Sequence, residues 1–259
     1  MPGRPGTCVA TALHSPPAVL SAPMTTPLRL DKRLAAQLHC SRAQARHYIE
    51  GGWVSVDGVV VEAPQTLVAG ETITLAAGAS SEPAEPATLL LNKPAGCTAA
   101  DMSALLREDA RFADDASGLR LLHRHFLRLE APLPLDDDAC GLVVLTQDWR
   151  VRRHLLEAGP GLEQEFMVDV EGEGSPWALP RLTHGLSYQG RALPACKVSW
   201  QSEQRLRFAI KDVRPGQLPH MCAAVGLRAT QVRRLRIGRI GLSRMPDGQW
   251  RYLAPGQRF

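Results

Sequence analysis

The sequence predicts an α+β chain built in two pieces, and three observations carry that prediction. Helix-type and strand-type hydrophobic periods occur side by side without strict alternation, which favours a largely antiparallel sheet over a parallel βαβ array. Residues 76–87, a run of small residues with Pro and Glu, have linker composition and separate a compact segment, 28–75, from a larger one, 88–255. The 259 residues are 44% hydrophobic, enough for a small domain plus a medium one, each with its own core.

Residues 1–27 precede any clear pattern and are expected to form a disordered tail. Prolines at 16, 17 and 23 interrupt a short apolar region, which makes a poor signal peptide, and Met24 follows at once. Residues 1–23 are therefore expected to pack on nothing, with an incorrectly assigned start codon as an alternative origin. From Leu28 the pattern is definite. Leu30, Leu34 and Leu38 recur at helical spacing, and Ser41 with Gln44 forms a capping box for a second helix over Arg42–Glu50 that stops at Gly51-Gly52. Trp53–Val56, a turn at Asp57-Gly58 and Val59–Val61 read as a hairpin, and Glu71–Leu75 as another strand.

In the second segment strands are expected at 88–91, 141–146, 165–171, 196–201, 205–210 and 230–237. Helices are expected at 102–111, 149–158, 176–184 and 217–225. The six cysteines show no Cys-x-x-Cys spacing, so reduced thiols are expected, without zinc or disulfides. No apolar run reaches the ~18 residues a membrane span needs. His123 and His125, as alternate residues of a strand, are expected to face solvent rather than a metal. Trp177, Trp200 and Trp250 are expected in the core.

The net charge of +4 is mild, but the basic residues cluster. Arg29, Lys32, Arg33, Arg42 and Arg46 face only one acid, Asp31, within 29–47. Arg42 and Arg46 stand four apart on one helix face, suited to phosphate contacts. On charge alone this is the pattern of a solvated helix. The order Arg29-Leu30-Asp31-Lys32, Ser41-Arg42, Ala45, Ile49, Gly52, Val54, Val56, Asp57-Gly58 adds more, because it resembles the S4 RNA-binding domain. The resemblance implies that Arg29, Lys32, Arg33, Ser41, Arg42 and Arg46 grip structured RNA by shape and phosphate contacts. Arg228, Arg233, Arg234, Arg236, Arg239, Arg244 and Arg251, opposed only by Asp247, read as a second RNA-facing patch.

Leu89-Leu90-Leu91-Asn92-Lys93-Pro94-Ala95-Gly96 is a hydrophobic strand ending in a constrained turn. Further on stand Leu135-Asp136-Asp137-Asp138-Ala139-Cys140-Gly141-Leu142-Val143-Val144-Leu145-Thr146, Glu163-Gln164-Glu165-Phe166-Met167-Val168, Arg214 to Met221, and Gly248-Gln249-Trp250-Arg251-Tyr252-Leu253. A run of three aspartates is by itself usually a solvated loop. Following the S4-like unit, these segments together resemble the RsuA/RluF family of rRNA pseudouridine synthases, nearest its RluF branch. The resemblance implies a pseudouridine synthase-like domain with a central mixed, largely antiparallel sheet. It puts the family's catalytic aspartate on Asp136 and substrate contacts on Phe166, Arg214 and Gln217, with no cofactor or metal. It further implies ribosomal RNA or an assembling ribosomal particle as partner, and a monomer in the cytoplasm.

A carboxylate suits this chemistry. Pseudouridine formation breaks the C1′–N1 bond and rejoins the base through C5, and a carboxylate can bond or deprotonate the ribose while the base leaves. The sequence also departs from the family. Leu133 and Pro134 replace a Gly-Arg pair, Ala139 a threonine, Gln164 a lysine and Phe166 a tyrosine, while Gly216, Pro219 and His220 replace arginines. Two readings stay open: an rRNA uridine isomerase using Asp136, or an RNA-binding or ribosome-assembly protein that keeps the fold with impaired catalysis.

Overall fold

In the computed structural model, which describes residues 18–20, 26–158 and 161–259, the chain divides into two units, Met1–Glu85 and Pro86–Phe259. Among the described residues, the first unit contains β1 (Ala18–Leu20), β2 (Leu28–Arg29), α1 (Leu30–Leu38), α2 (Arg42–Glu50), β3 (Val54–Val56), β4 (Val59–Val60), β5 (Leu67–Val68) and β6 (Ile73–Leu75). The helical stripe behaves as its spacing predicts. Leu30 and Leu34 of α1 pack with Ala45 and Ile49 of α2, and Val54, Val68 and Ile73 complete the core. The capping box forms at both ends, Ser41 Oγ accepting from Gln44 N–H at 3.2 Å and Gln44 Oε1 from Ser41 N–H at 3.0 Å. At the hairpin turn Asp57 and Gly58 take φ of 49° and 82°, the left-handed pair that a tight two-residue turn demands.

Ala18–Leu20 departs from the expected tail. It pairs antiparallel with Ile73–Leu75, in a sheet of order β1-β6-β3-β4. The edge of β6 would otherwise present unpaired N–H and C=O groups, and even a short passing segment can satisfy them. The remainder of the expected tail before residue 26 lies outside the described residues.

The second unit contains β7 (Thr88–Lys93), α3 (Met102–Leu105), β8 (Cys140–Thr146), α4 (Trp149–Ala158), β9 (Gln164–Glu171) and α5 (Ala178–Thr183). There follow β10 (Ser187–Tyr188), β11 (Arg191–Ala192), β12 (Lys197–Ser202), β13 (Arg205–Ile210), α6 (Gln217–Ala223), β14 (Arg228–Ile237), β15 (Ile240–Gly241) and β16 (Trp250–Tyr252). One sheet of order β12-β13-β9-β14-β8-β7-β16, with β15 beside β14, organises the unit. Its pairings are antiparallel except β8 with β14. It is thus mixed and largely antiparallel, as expected. β7 and β8 are buried along their whole length, which explains their continuous hydrophobic runs.

At the parallel junction Gly141 (φ 102°) meets the backbone of β14 so closely that a Cβ would lie 2.3 Å from the Arg234 carbonyl oxygen. Only glycine fits there. β14 also bulges against β9, between Ala229 and Gln231 and between Arg234 and Arg236. The second bulge puts Arg234 opposite Phe166 on one face and Arg233 and Arg236 opposite Met167 and Glu165 on the other.

Several local expectations change. The helix expected over 102–111 ends at Leu105, and a 3₁₀ turn follows at Glu108–Ala110. The Arg107 carbonyl accepts the Trp250 indole N–H at 2.7 Å instead of continuing a helix. β16 lines the edge of β7, where Trp250 and Tyr252 are buried. Of the three tryptophans expected in the core, only Trp250 is there; Trp177 and Trp200 are exposed, at a helix start and on the edge strand β12. His123 and His125 sit in a 3₁₀ turn rather than a strand. His125 is buried, its Nδ1 2.8 Å from the Tyr252 hydroxyl.

Candidate active site

Asp136 lies on the loop that enters β8, at the mouth of a cleft of about 210 Å³. Leu133–Asp136 and Ala139 form one wall. Gln164 and Phe166 of β9 and Val232 and Arg234 of β14 line it from the sheet, and Val213–Pro215, Leu218 and Pro219 face them from the start of α6. One Asp136 carboxylate oxygen accepts the Gly216 N–H at 2.9 Å. Gly216, at φ 70°, is the residue before α6, so the carboxylate also sits where unpaired helix N–H groups favour negative charge. Tyr188 of the β10–β11 hairpin donates its hydroxyl to the Pro215 carbonyl at 2.7 Å and fixes the same turn.

Two buried cations hold the Asp136 loop. The Lys93 ammonium, 1% exposed, donates to the carbonyls of Ala139 at 2.6 Å, Asp137 at 2.8 Å, Asp136 at 3.1 Å and Pro94 at 3.3 Å. Burial pulls its pKa below the ordinary lysine value. Arg234 reaches the other end of the loop. It donates to the Leu133 carbonyl at 2.8 Å, the Leu142 carbonyl at 2.7 Å, Gln164 Oε1 at 3.2 Å and the Pro134 carbonyl at 3.5 Å. Burial lowers its pKa too, from the ordinary guanidinium range to about 9, a value at which it stays charged near neutrality. Its side-chain acceptors are neutral, so the cleft floor is positive. Sequence reasoning missed both roles: Lys93 closes a hydrophobic strand and Arg234 sits among the other arginines of β14, and neither local pattern shows that the side chain turns inward onto carbonyls distant in sequence.

The expected substrate contacts divide. Phe166 and Arg214 line the cleft, and the Phe166 ring with the surrounding prolines and leucines makes it largely apolar. Gln217 does not line it. Its side chain is fully buried, Oε1 accepting from Arg214 N–H at 3.1 Å and Nε2 approaching Met221 Sδ at 3.8 Å. It shapes the Arg214–Gly216 turn from behind. Among the described residues no group of His, Cys, Asp and Glu is arranged to hold a metal ion.

In the first unit Arg29, Lys32, Ser41, Arg42 and Arg46 are exposed, whereas Arg33 is buried and donates to the carbonyls of Ala69 and Glu71. Arg33 therefore joins α1 to the β5–β6 connection and cannot face RNA. Asp31 is buried beneath Arg29 and Arg42, each at 3.0 Å. Burial pushes its pKa up, but hydrogen bonds and charge from those arginines outweigh this and lower it. Arg46 pairs with Glu50 at 3.3 Å.

The C-terminal arginines are not the open patch their density suggested. Arg236 pairs with Glu163 at 2.7 Å and Glu165 at 3.1 Å, Arg233 with Asp247 at 2.8 Å, and Arg228 with Glu171. Arg205 and Arg207 of β13 pair with Asp169 at 2.5 Å and Glu165 at 2.8 Å on the same sheet face. Most of the acids come from β9, which lies beside β14 in the sheet but far from it in sequence. Arg239 and Arg244 stay exposed without an ion pair among the described residues.

The model of the S4 domain matches residues 28–73. The chain is 27% identical over 231 residues to the dual-specificity RNA pseudouridine synthase RluF of Salmonella typhi, covering 88% of this chain and 76% of that one. It is 28% identical to an uncharacterized RNA pseudouridine synthase of Aquifex aeolicus (87% and 92% covered). The ribosomal small subunit pseudouridine synthase A of Salmonella typhimurium is likewise 28% identical (87% and 96%). A crystal structure of a pseudouridylate synthase shares the fold at a TM-score of 0.55 and 21% identity, covering 88% of this chain and 96% of that one. No helix among the described residues is long and apolar enough to cross a membrane. An S4 domain followed by a mixed-sheet unit, similar along most of its length to these enzymes, makes the chain a homologue of the RluF and RsuA pseudouridine synthases.

Proposed function

We propose that this chain binds ribosomal RNA and isomerises a uridine in it to pseudouridine, with Asp136 as the reacting carboxylate. The observation that carries the reading is the Asp136 carboxylate, held by the Gly216 N–H at the mouth of a cleft lined by an aromatic ring and a positive floor. Residues 28–75 serve as the RNA-binding module, 76–87 as linker and 88–255 as the catalytic domain. Arg29, Lys32, Arg42 and Arg46 contact phosphates. The target uridine leaves its stack and enters the cleft, where Phe166 lies against the base. Asp136 then bonds C1′ or takes the C2′ proton as the C1′–N1 bond breaks. The base turns and C5 bonds C1′ as the Asp136–C1′ bond breaks or, on the other route, as Asp136 returns the proton to C2′; the C5 proton passes to water, and N1 takes up a proton. No cofactor enters. The protein acts as a cytoplasmic monomer, on free rRNA or on an assembling particle.

Two observations favour a second reading, a pseudouridine synthase-like RNA-binding or assembly protein with impaired catalysis. Phe166 has no hydroxyl with which to move a proton, and Pro134 brings no guanidinium to Asp136. Asp136→Asn separates the readings. It keeps the shape and removes the charge, so isomerisation of rRNA fragments should stop while RNA binding persists. Pro134→Arg combined with Phe166→Tyr should raise the parent rate. A parent that isomerises no rRNA fragment leaves only the second reading.

A further inference from the structure

Gln164 is 3% exposed, lines the cleft, and is only half used by the protein. Its Oε1 accepts from Arg234 Nη1 at 3.2 Å, while Nε2 has no acceptor among the described residues and is not a buried orphan. The amide cannot turn over. Arginine only donates, so a flipped amide would set NH₂ against the guanidinium. Nor can Arg234 swing away, because its other N–H groups are committed to the carbonyls of Leu133, Pro134 and Leu142. Donation into Oε1 also polarises the amide and strengthens Nε2 as a donor. Phe166, two residues along β9, presents its ring on the same strand face.

We propose that Gln164 reads the base. Its Nε2–H donates to the C4 carbonyl oxygen of a pyrimidine lying against Phe166, so the cleft takes uracil and rejects cytosine, whose C4 amino group would meet a donor. This inference rests on the cleft being the nucleoside site. A buried donor left facing another donor weakens binding by on the order of 10-fold.

The test is titration of the full chain with uridine 5′-monophosphate and cytidine 5′-monophosphate, followed by NMR shifts of the cleft residues. The parent should prefer the uridylate by about 10-fold. Gln164→Met should bind both nucleotides alike. Gln164→Glu, which keeps an acceptor for Arg234 but presents oxygen to the cleft, should reverse the preference. Equal binding of both nucleotides by the parent, binding of neither, or a preference unchanged in Gln164→Met overturns the assignment. Isomerisation of rRNA is scored separately. A Gln164-dependent preference in a chain that isomerises nothing would sink the enzyme reading alone, and an active chain whose preference ignores Gln164 would sink this one alone.

Discussion

Replacing Lys93 by methionine should loosen the Asp136 loop while leaving the strand that carries it packed. The ammonium has three N–H donors, and its three shortest contacts are Ala139, Asp137 and Asp136, at 2.6, 2.8 and 3.1 Å. Hydrogen bonds of this charge-assisted kind contribute about 1.5–3 kcal/mol each, roughly 5–9 in all. Burying the ammonium costs several kcal/mol in the opposite direction, and the methionine stem replaces most of the packing. The expected net loss is about 2–4 kcal/mol. Urea unfolding read by tryptophan fluorescence measures it. Isomerisation should suffer more than stability suggests, because a displacement of ~1 Å in a reacting group can cost on the order of 100-fold in rate. A variant within about 0.5 kcal/mol of the parent, turning over at the parent rate, would show that Lys93 does not hold the loop.

Other outcomes follow from the same contacts. Arg33→Met should destabilise the first unit by about 1–3 kcal/mol and leave the RNA affinity of the folded protein unchanged; Lys32→Ala should do the reverse, and identical behaviour of the two would refute the separation. Arg42→Ala with Arg46→Ala should flatten the salt dependence of rRNA binding by roughly one to two units of log–log slope, and an unaltered slope would remove these residues from the phosphate contacts. Glu165 is held below its ordinary value of 4.5, first by the Arg207 hydrogen bond, against burial, and then by Arg236; Glu163 is held down by the same Arg236. Depressed folded-state values mean stability that is complete above the unfolded value and lost as pH falls through the folded ones. The melting temperature should therefore drop on acidification below about pH 4.5, and Glu165→Gln should shallow that drop.

Much of the fold was legible because the informative residues are apolar and periodic. Leu30, Leu34 and Ile49 give the S4 helices, Leu89–Leu91 and Leu142–Leu145 the buried strands, and Ser41 with Gln44 a helix start. The Asp136 loop was legible through its resemblance, not through its own composition. What stayed hidden depends on partners distant in sequence. The bulge after Arg234 sends neighbouring arginines to opposite faces, so a cluster that reads as one basic patch is a buried cation plus a ladder of ion pairs. Arg33 carries the same charge as Lys32 but points at the carbonyls of Ala69 and Glu71. Gln164 reads as a lost lysine until Arg234 is seen to orient it.

Mapping pseudouridines across ribosomal RNA from cells with and without this gene tests the central claim most directly. Loss of pseudouridine at a discrete uridine is expected in the deletion, with return of the modification on supplying the parent chain but not Asp136→Asn. An identical pseudouridine map in the presence and absence of the gene would contradict the isomerase reading.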